Sequence, residues 1–206
     1  GVGGRLFFGS SSGDVYSLDS QSGCQYWTFR ASSTVRTAIT AAPLPDGGYA
    51  AYFGDTQAFV YALDAQTGTL LWKTHIDDHK MARITGAPKL VAGRLYVPVA
   101  SGVEEMAAAQ QGYPCCTFRG SLVALDAQSG KQVWKTYTIP DAPRETGASA
   151  SGTKKFGPAG VSIWNSPTID RKRKLIYAGT GNDYTEPRTP YSDAVFAFDM
   201  DTGAVR

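Results

Sequence analysis

Two adjacent glutamates and one asparagine are the side chains best placed to hold a metal ion. Glu104 and Glu105 follow a predicted strand at Arg94–Ala100, and Asn182 follows another strand on a Gly-Thr-Gly turn. Carboxylate and amide oxygens are the ligands that hard cations such as calcium prefer. Loops on a rigid scaffold are also where binding residues gather. The alternative interpretation is that the two glutamates are a solvated pair of loop acids.

One tryptophan and three cysteines are further candidates. Trp164 is the only one of the four tryptophans outside the repeat described below, so it either packs in the core or stacks on a flat ligand. Cys115 and Cys116 are adjacent, and they either close an eight-membered disulfide ring or remain two reduced thiols. Cys24 is expected to be buried. The sequence contains no Cys-x-x-Cys spacing, which argues against structural zinc.

Three other patterns do not predict a site. His75 and His79 are four residues apart, but the residues between them lack the glutamate of a metalloprotease motif, and zinc is disfavoured. Gly179-Thr-Gly181 lacks the third glycine and the following helix of a dinucleotide-binding motif. The basic run Arg171–Lys174 is predicted to be an exposed hairpin turn, and nucleic acid is not expected as a partner.

An internal repeat supplies the elements that must position these residues. An Asp-x-x-x-Gly turn occurs four times, and in three copies a tryptophan follows four residues after the glycine. The aspartates are Asp19, Asp64, Asp126 and Asp199, and the tryptophans are Trp27, Trp72 and Trp134. Asp accepts hydrogen bonds from nearby backbone N–H groups and Gly takes positive φ, so each copy predicts a tight turn between two strands.

The spacing of the repeats predicts a β-propeller. Successive turn aspartates are 45, 62 and 73 residues apart. A four-stranded module needs roughly 40–45 residues, so the two longer intervals carry insertions. Such modules hide their sheet edges by repeating around an axis. We therefore predict an all-β chain in which residues 1–206 form one partial β-propeller domain of about four blades, with repeats ending near residues 27, 72, 134 and beyond 206. The chain is accordingly expected to be a fragment.

Composition agrees with a folded domain. The 206 residues are 42% hydrophobic and 18% charged, with a formal net charge of +2. These values fit a globular protein with a buried core. No apolar run has the length of a transmembrane helix, so no membrane span is predicted. The one helix-like stretch, residues 104–111, is too short to be stable alone.

The repeats resemble the tryptophan-docking motifs of the pyrroloquinoline quinone (PQQ) dehydrogenases. Within that superfamily, the runs Arg83–Pro88, Cys115–Ser121 and Val133–Pro140 resemble the polyvinyl alcohol dehydrogenase branch most closely. The resemblance implies an eight-bladed periplasmic propeller that binds PQQ and calcium, oxidises an alcohol and passes electrons to cytochrome c. The alternative is a non-enzymatic propeller that binds proteins as a scaffold or assembly factor.

The resemblance also implies roles for single residues around the metal. The segment from Ser101 to Glu104 matches the one that supplies a carboxylate to calcium, with Glu105 as a less favoured substitute. Asn182 matches the residue that supplies an amide oxygen. Trp164 stands eighteen residues before Asn182, the distance at which the family places the floor under the quinone ring.

Other matches concern the quinone itself. Thr85 and Ser101 match positions that hydrogen-bond the quinone carboxylates. Arg36 resembles the arginine near the quinone oxygens and is a candidate catalytic residue. Cys115 and Cys116 are a candidate cap over the ring, although the capping disulfide of methanol and ethanol dehydrogenases lies on a different loop. The family's catalytic aspartate is expected beyond residue 206, so the fragment alone is predicted to have no turnover.

Overall fold

The computed structural model describes residues 1–44 and 47–206, which are built almost entirely of strands. In chain order, the strands and the one helix of this described part are β1 (Arg5–Gly9), β2 (Asp14–Asp19), β3 (Gln25–Arg30), β4 (Thr40–Pro43), β5 (Tyr49–Gly54), β6 (Phe59–Asp64), β7 (Leu70–His75), β8 (Lys89–Val91), β9 (Arg94–Val99), α1 (Gly102–Ala107), β10 (Ser121–Asp126), β11 (Gln132–Tyr137), β12 (Arg144–Ala148), β13 (Lys154–Gly157), β14 (Thr168–Asp170), β15 (Leu175–Gly179) and β16 (Val195–Asp199).

Four antiparallel sheets correspond to the four predicted modules. Strands β4 to β7 and β8 to β11 form four-stranded sheets, whereas β1 to β3 and β14 to β16 form three-stranded ones. In every sheet, strands that are neighbours in sequence are also neighbours in space. The hairpin β12–β13 stands outside these sheets. This meander of short antiparallel strands is the architecture of propeller blades.

The Asp-x-x-x-Gly turns close each module with the same hydrogen bonds. In the second copy, Asp64 Oδ1 accepts from the backbone N–H of Gln66 at 3.0 Å and of Thr67 at 2.7 Å, and from the Thr67 hydroxyl at 2.8 Å. Gly68 closes the turn on the Asp64 carbonyl at φ +77°. Partial burial raises the pKa of Asp64, but these hydrogen bonds outweigh it and hold the pKa below its usual value.

Each repeat tryptophan docks on the turn of the following module. Trp72 Nε1 donates to the Ala127 carbonyl at 2.9 Å, and its ring lies against Gly130. Trp134 binds the Met200 carbonyl at 3.3 Å in the same way. Trp27 makes the equivalent bond at 3.1 Å to the Ala65 carbonyl. The motif therefore joins successive sheets.

The apolar core lies between the sheets. Val60 on β6 and Val123 on β10 belong to one cluster between the second and third sheets. Tyr61, the next residue on β6, faces the opposite way into the cluster against the first sheet. Leu122 on β10 likewise packs toward the fourth sheet. Side chains alternate along a strand, so the inner sheets bury both faces.

Adding a methyl group at Gly130 is expected to destabilise the fold more than adding one at Gly93. Both glycines have positive φ, +70° and +76°, so alanine costs each about 1–2 kcal/mol. At Gly130 a Cβ would also lie 2.6 Å from the Trp72 ring, whereas nothing lies within 4 Å at Gly93. Overpacking adds about 1–3 kcal/mol. Urea denaturation of Gly130→Ala and Gly93→Ala measures the difference, and equal losses would contradict the docking role.

The two longer intervals carry the predicted insertions. Helix α1 lies in the first of them and is shorter than the predicted stretch 104–111, and the hairpin β12–β13, which was not predicted, lies in the second. The exposed turn at Arg171–Lys174 joins β14 and β15, as predicted. Within the described residues, no helix is long and apolar enough to cross a membrane.

Candidate functional site

An open cavity of about 530 Å³ lies among the loops that follow strands β3, β5, β7, β9 and β13. It is lined by Arg36, Thr56, Arg83, Thr85, Ala100, Gly102, Val103, Met106 and Trp164. Three residues predicted to bind one ligand, Arg36, Thr85 and Trp164, are therefore brought together from distant parts of the sequence. An aromatic surface combined with a few polar groups is typical of a small-molecule site.

Trp164 offers an open indole face to this cavity. Its exposed fraction is 63%, which excludes the alternative that it packs in the core. The backbone is held by Thr85, whose hydroxyl donates to the Trp164 carbonyl at 3.3 Å. A methyl group placed on Gly181 would lie 3.4 Å from Trp164 Nε1, so the segment before Asn182 runs against the indole. A flat ligand has room to stack here.

Arg83 also lines this cavity, although no motif in the sequence predicts a role for it. Its backbone pairs in both directions with Ala100, at 2.8 and 2.9 Å, which fixes it beside the end of β9. Its Nε is buried and has no hydrogen-bond partner among the residues that the structure describes. A buried donor without an acceptor is costly. The sequence does hold one signal for Arg83, because it stands two residues before Thr85. In an extended segment, side chains two residues apart point to the same side.

Ser101 caps helix α1 and does not line the cavity. Its Oγ accepts from the Glu104 N–H at 3.3 Å. Its own N–H donates to Ser162 Oγ at 2.9 Å, and its carbonyl accepts from the Tyr184 hydroxyl at 2.6 Å. Burial raises the pKa of Tyr184 to about 12, so this phenol keeps its proton. These contacts fix the start of α1.

Glu104 is fully buried, and the protein itself satisfies both of its carboxylate oxygens. Oε1 accepts from the Thr117 N–H at 2.9 Å and the Tyr113 hydroxyl at 3.1 Å, and Oε2 accepts from the Phe118 N–H at 2.8 Å. His79 Nε2 lies 3.5 Å from Oε1. Burial raises the pKa of Glu104, but hydrogen bonds from His79, Thr117 and Phe118 outweigh it and lower the pKa.

Glu105 and Asn182 meet on the outer side of the same helix. Asn182 Nδ2 donates to Glu105 Oε1 at 2.9 Å, and the Glu105 side chain is exposed. The structure therefore brings Asn182 to the second glutamate of the pair. Carboxylate and amide oxygens are both ligands for hard cations, but in this contact the amide nitrogen, not the oxygen, faces the carboxylate.

Comparison with known proteins identifies the lineage. A family model named PQQ_2 and described as outer membrane protein assembly factor BamB matches residues 1–206. The chain belongs to the PQQ_2 family. A polyvinyl alcohol dehydrogenase from Pseudomonas sp. is 48% identical over 208 residues, which cover 100% of this chain and 32% of the relative. A lupanine 17-hydroxylase from Pseudomonas sp., whose name specifies cytochrome c, is 30% identical over 142 residues, 59% of this chain and 19% of the relative.

A solved structure of a europium-containing methanol dehydrogenase has the same fold. Its TM-score is 0.72 at 25% sequence identity, and the match covers 100% of this chain and 39% of that one. The predicted all-β propeller fold and the resemblance to quinoprotein alcohol dehydrogenases are thus confirmed. The chain spans about a third of the length of the polyvinyl alcohol dehydrogenase that it matches. The matched relatives are bacterial.

The cysteines of this PQQ_2 chain are placed away from the cavity. Cys115 and Cys116 form a disulfide, which decides between the two interpretations of the pair. The disulfide is buried against Ala159 and Tyr184, and neither cysteine is among the cavity-lining residues. Cys24 is exposed, so the prediction that it is buried was wrong, because it follows directly on a surface turn.

The two histidines do not share a site. His75 Nδ1 lies 3.5 Å from Asp78 Oδ1, whereas His79 Nε2 lies 3.0 Å from the Thr117 hydroxyl. In residues 1–44 and 47–206, no three His, Cys, Asp or Glu side chains form a metal-binding group.

Proposed function

We propose that this chain is the PQQ-binding part of a quinoprotein alcohol dehydrogenase similar to the polyvinyl alcohol dehydrogenases. The observation that carries the proposal is the cavity in which Trp164, Thr85, Arg36 and Arg83 meet. The 48% identity over the whole chain to an enzyme of that name supports it further.

The residues present fit the quinone. PQQ is a flat tricarboxylate, and the cavity offers it one exposed indole and two guanidinium groups. The Nε of Arg83, which has no hydrogen-bond partner among the described residues, is a donor that an anionic ligand would satisfy. Among the described residues, Glu105 and Asn182 are a carboxylate and an amide in contact next to this cavity, and their chemistry suits the metal ion. That ion is calcium, or a lanthanide as in the europium-containing relative.

Each group of the chain then has a defined task. When bound, PQQ with its metal ion supplies the chemistry that accepts hydride from an alcohol. Trp164 holds the ligand flat by stacking, and Thr85 fixes the Trp164 backbone. Arg36 and Arg83 bind negative charge at the ligand's rim. Glu104 and Ser101 hold helix α1 in place beside the cavity.

The remaining parts of the proposal concern the whole protein. An alcohol is its substrate and a cytochrome c is its electron acceptor. The name of the lupanine hydroxylase specifies cytochrome c for that relative. We place the protein in the bacterial periplasm. The alternative, an assembly factor without a cofactor, has support in the description of the family model. The combination of one indole with the guanidinium groups of Arg36 and Arg83 in a single cavity favours a small anionic ligand over this alternative.

Replacing Trp164 with alanine is expected to weaken PQQ binding more than replacing it with phenylalanine. Loss of aromatic stacking costs about 1–3 kcal/mol, or about 5- to 150-fold in affinity. Phenylalanine keeps a stacking face and should stay within about fivefold of wild type. Equilibrium dialysis of PQQ in the presence of calcium measures both, and equal affinities for the two variants would contradict the role of Trp164.

Activity tests the function as a whole. The protein is expressed at its full natural length, reconstituted with PQQ and calcium, and assayed for alcohol-dependent dye reduction. We expect reduction that requires PQQ, calcium and an alcohol together. Absence of both PQQ binding and dye reduction would favour the assembly factor.

A further inference from the structure

We propose that a second cavity on this chain binds a segment of a long hydroxylated substrate, so that a polymeric alcohol is held at two places on the protein. The second cavity has a volume of about 580 Å³ and is lined mainly by residues 75–79 and by Arg119, Gln132, Lys135 and Tyr137. The inference rests on the proposed function, because it specifies the class of alcohol that the protein oxidises.

The second cavity lies between the second and third sheets. On β11, Trp134 faces the fourth sheet, where it binds the Met200 carbonyl, so the next residue, Lys135, faces the second sheet. There Lys135 Nζ donates to the Ile76 carbonyl at 3.0 Å and to Asp77 Oδ2 at 2.6 Å. These contacts join β11 to the segment after β7 at the wall of the second cavity.

Two chain segments connect the second cavity with the cavity beside Trp164. The segment after β7 lines the second cavity with residues 75–79 and the cavity beside Trp164 with Arg83. The segment from α1 to β10 lines the cavity beside Trp164 with Met106 and the second cavity with Arg119. The two cavities are therefore neighbours at the same end of the sheets, and among the described residues none lines both.

The second cavity is polar, but its charges balance. Its lining includes two basic side chains, Lys135 and Arg119, and two acidic ones, Asp77 and Asp78. Asp77 is paired with Lys135, and the exposed Asp78 has His75 Nδ1 3.5 Å away. With the histidines neutral, this lining favours a neutral polar ligand over an anion or a cation.

The lining also offers both donors and acceptors of hydrogen bonds. Among the described residues, the Lys135 ammonium has acceptors for two of its three N–H groups, and the Arg119 guanidinium for two of its five. The exposed Gln132 amide and the Tyr137 hydroxyl can each donate and accept. A hydroxyl group of a ligand does the same, so a chain that carries many hydroxyl groups matches this lining.

A vinyl alcohol polymer has this chemistry. The relative that is 48% identical is named a polyvinyl alcohol dehydrogenase, and its polymer carries a hydroxyl group on every second carbon of one neutral chain. One hydroxyl group can react in the cavity beside Trp164 while another segment of the same chain occupies the second cavity. Binding at two places raises the apparent affinity for the polymer through effective concentration. A small diol fills one cavity at a time and gains nothing from the other.

A comparison of polymer and small diol tests the second cavity. The double variant Gln132→Ala/Tyr137→Phe removes an amide and a hydroxyl group from its lining but keeps the aromatic ring, whose centroid lies 3.8 Å from Arg119 Cζ. The full-length protein is reconstituted with PQQ and calcium, and dye reduction gives kcat/KM for polyvinyl alcohol and for pentane-2,4-diol. We expect the polymer-to-diol ratio of kcat/KM to fall at least about fivefold through a higher KM for the polymer, because two hydrogen bonds are lost.

Gln128→Ala/Tyr177→Phe is the matched control. It makes the same two changes at described residues that line neither cavity, and it should leave the polymer-to-diol ratio at the wild-type value.

A second readout measures binding without turnover. Fluorescence anisotropy of labelled polyvinyl alcohol follows its binding to the full-length protein without PQQ. We expect saturable binding by wild type, and binding at least about fivefold weaker by Gln132→Ala/Tyr137→Phe.

The outcomes separate the two proposals. If neither alcohol reduces the dye, the proposed function fails, and the anisotropy measurement alone decides this inference. If both alcohols are oxidised and Gln132→Ala/Tyr137→Phe has the same polymer-to-diol ratio as the matched control, only this inference is overturned. Equal affinity of wild type and Gln132→Ala/Tyr137→Phe for the labelled polymer would also overturn it.

Discussion

Asp77→Ala is expected to lower the free energy of unfolding by about 3–5 kcal/mol. Asp77 Oδ2 accepts from Lys135 Nζ at 2.6 Å, and the two side chains are only 5% and 14% exposed. Asp77 Oδ1 also accepts from the His79 N–H at 2.9 Å. Without the carboxylate, the Lys135 ammonium keeps the Ile76 carbonyl as a hydrogen-bond acceptor but loses its charged partner. Chemical denaturation followed by circular dichroism measures the loss.

Two controls identify the cause. The exposed pair of Lys154 and Glu145 has side chains 63% and 49% exposed, so Glu145→Ala should cost less than about 1 kcal/mol. Adding Lys135→Met to Asp77→Ala removes both charges and should recover part of the stability. If the double variant is less stable than Asp77→Ala alone, an unpaired buried charge is not the cause.

The double variant Arg36→Gln/Arg83→Gln is expected to lose PQQ affinity by about 100-fold or more. Hydrogen bonds to charged groups contribute about 1.5–3 kcal/mol each, and the two guanidinium groups line the same cavity. Glutamine keeps polarity and much of the length but removes the charge. Equilibrium dialysis at fixed salt concentration measures the affinity.

The control for this variant removes the same kind of charge from a surface turn that does not line the cavity. Arg171→Gln changes an exposed residue of the β14–β15 turn and should leave the affinity unchanged. If the double variant binds PQQ as tightly as Arg171→Gln, the cavity does not hold the ligand's carboxylates. The single variants separate the predicted residue, Arg36, from Arg83, which the structure alone revealed.

The repeat could be predicted because the hydrogen bonds of its turns join residues that are close together in the sequence. Asp64, Thr67 and Gly68 make their turn within five residues, and the same residue types recur at the same spacing in each copy. Even the docking of Trp72 follows from the repeat, since the next turn always offers a carbonyl and a glycine. The blades therefore required no knowledge of distant contacts.

The site could be predicted only in part because it depends on distant contacts. Trp164 stood out as the tryptophan outside the repeat, and its exposure agrees with the stacking interpretation. The direction of Glu104 was not predictable, since it depends on where the loop from Tyr113 to Phe118 returns. Arg83 carried no motif of its own. In the part of the chain that the structure describes, its Nε has no hydrogen-bond partner, and this depends on how the chain packs, which residue spacing does not reveal.

Direct titration of PQQ into the full-length protein tests the central claim, that the cavity beside Trp164 holds the quinone. With calcium present, tryptophan fluorescence is monitored in wild type and in Trp164→Phe. We predict saturable quenching in wild type, and in Trp164→Phe binding of similar affinity with a smaller quenching amplitude. Saturable binding with the same quenching amplitude in both proteins would place the quinone elsewhere and contradict the account.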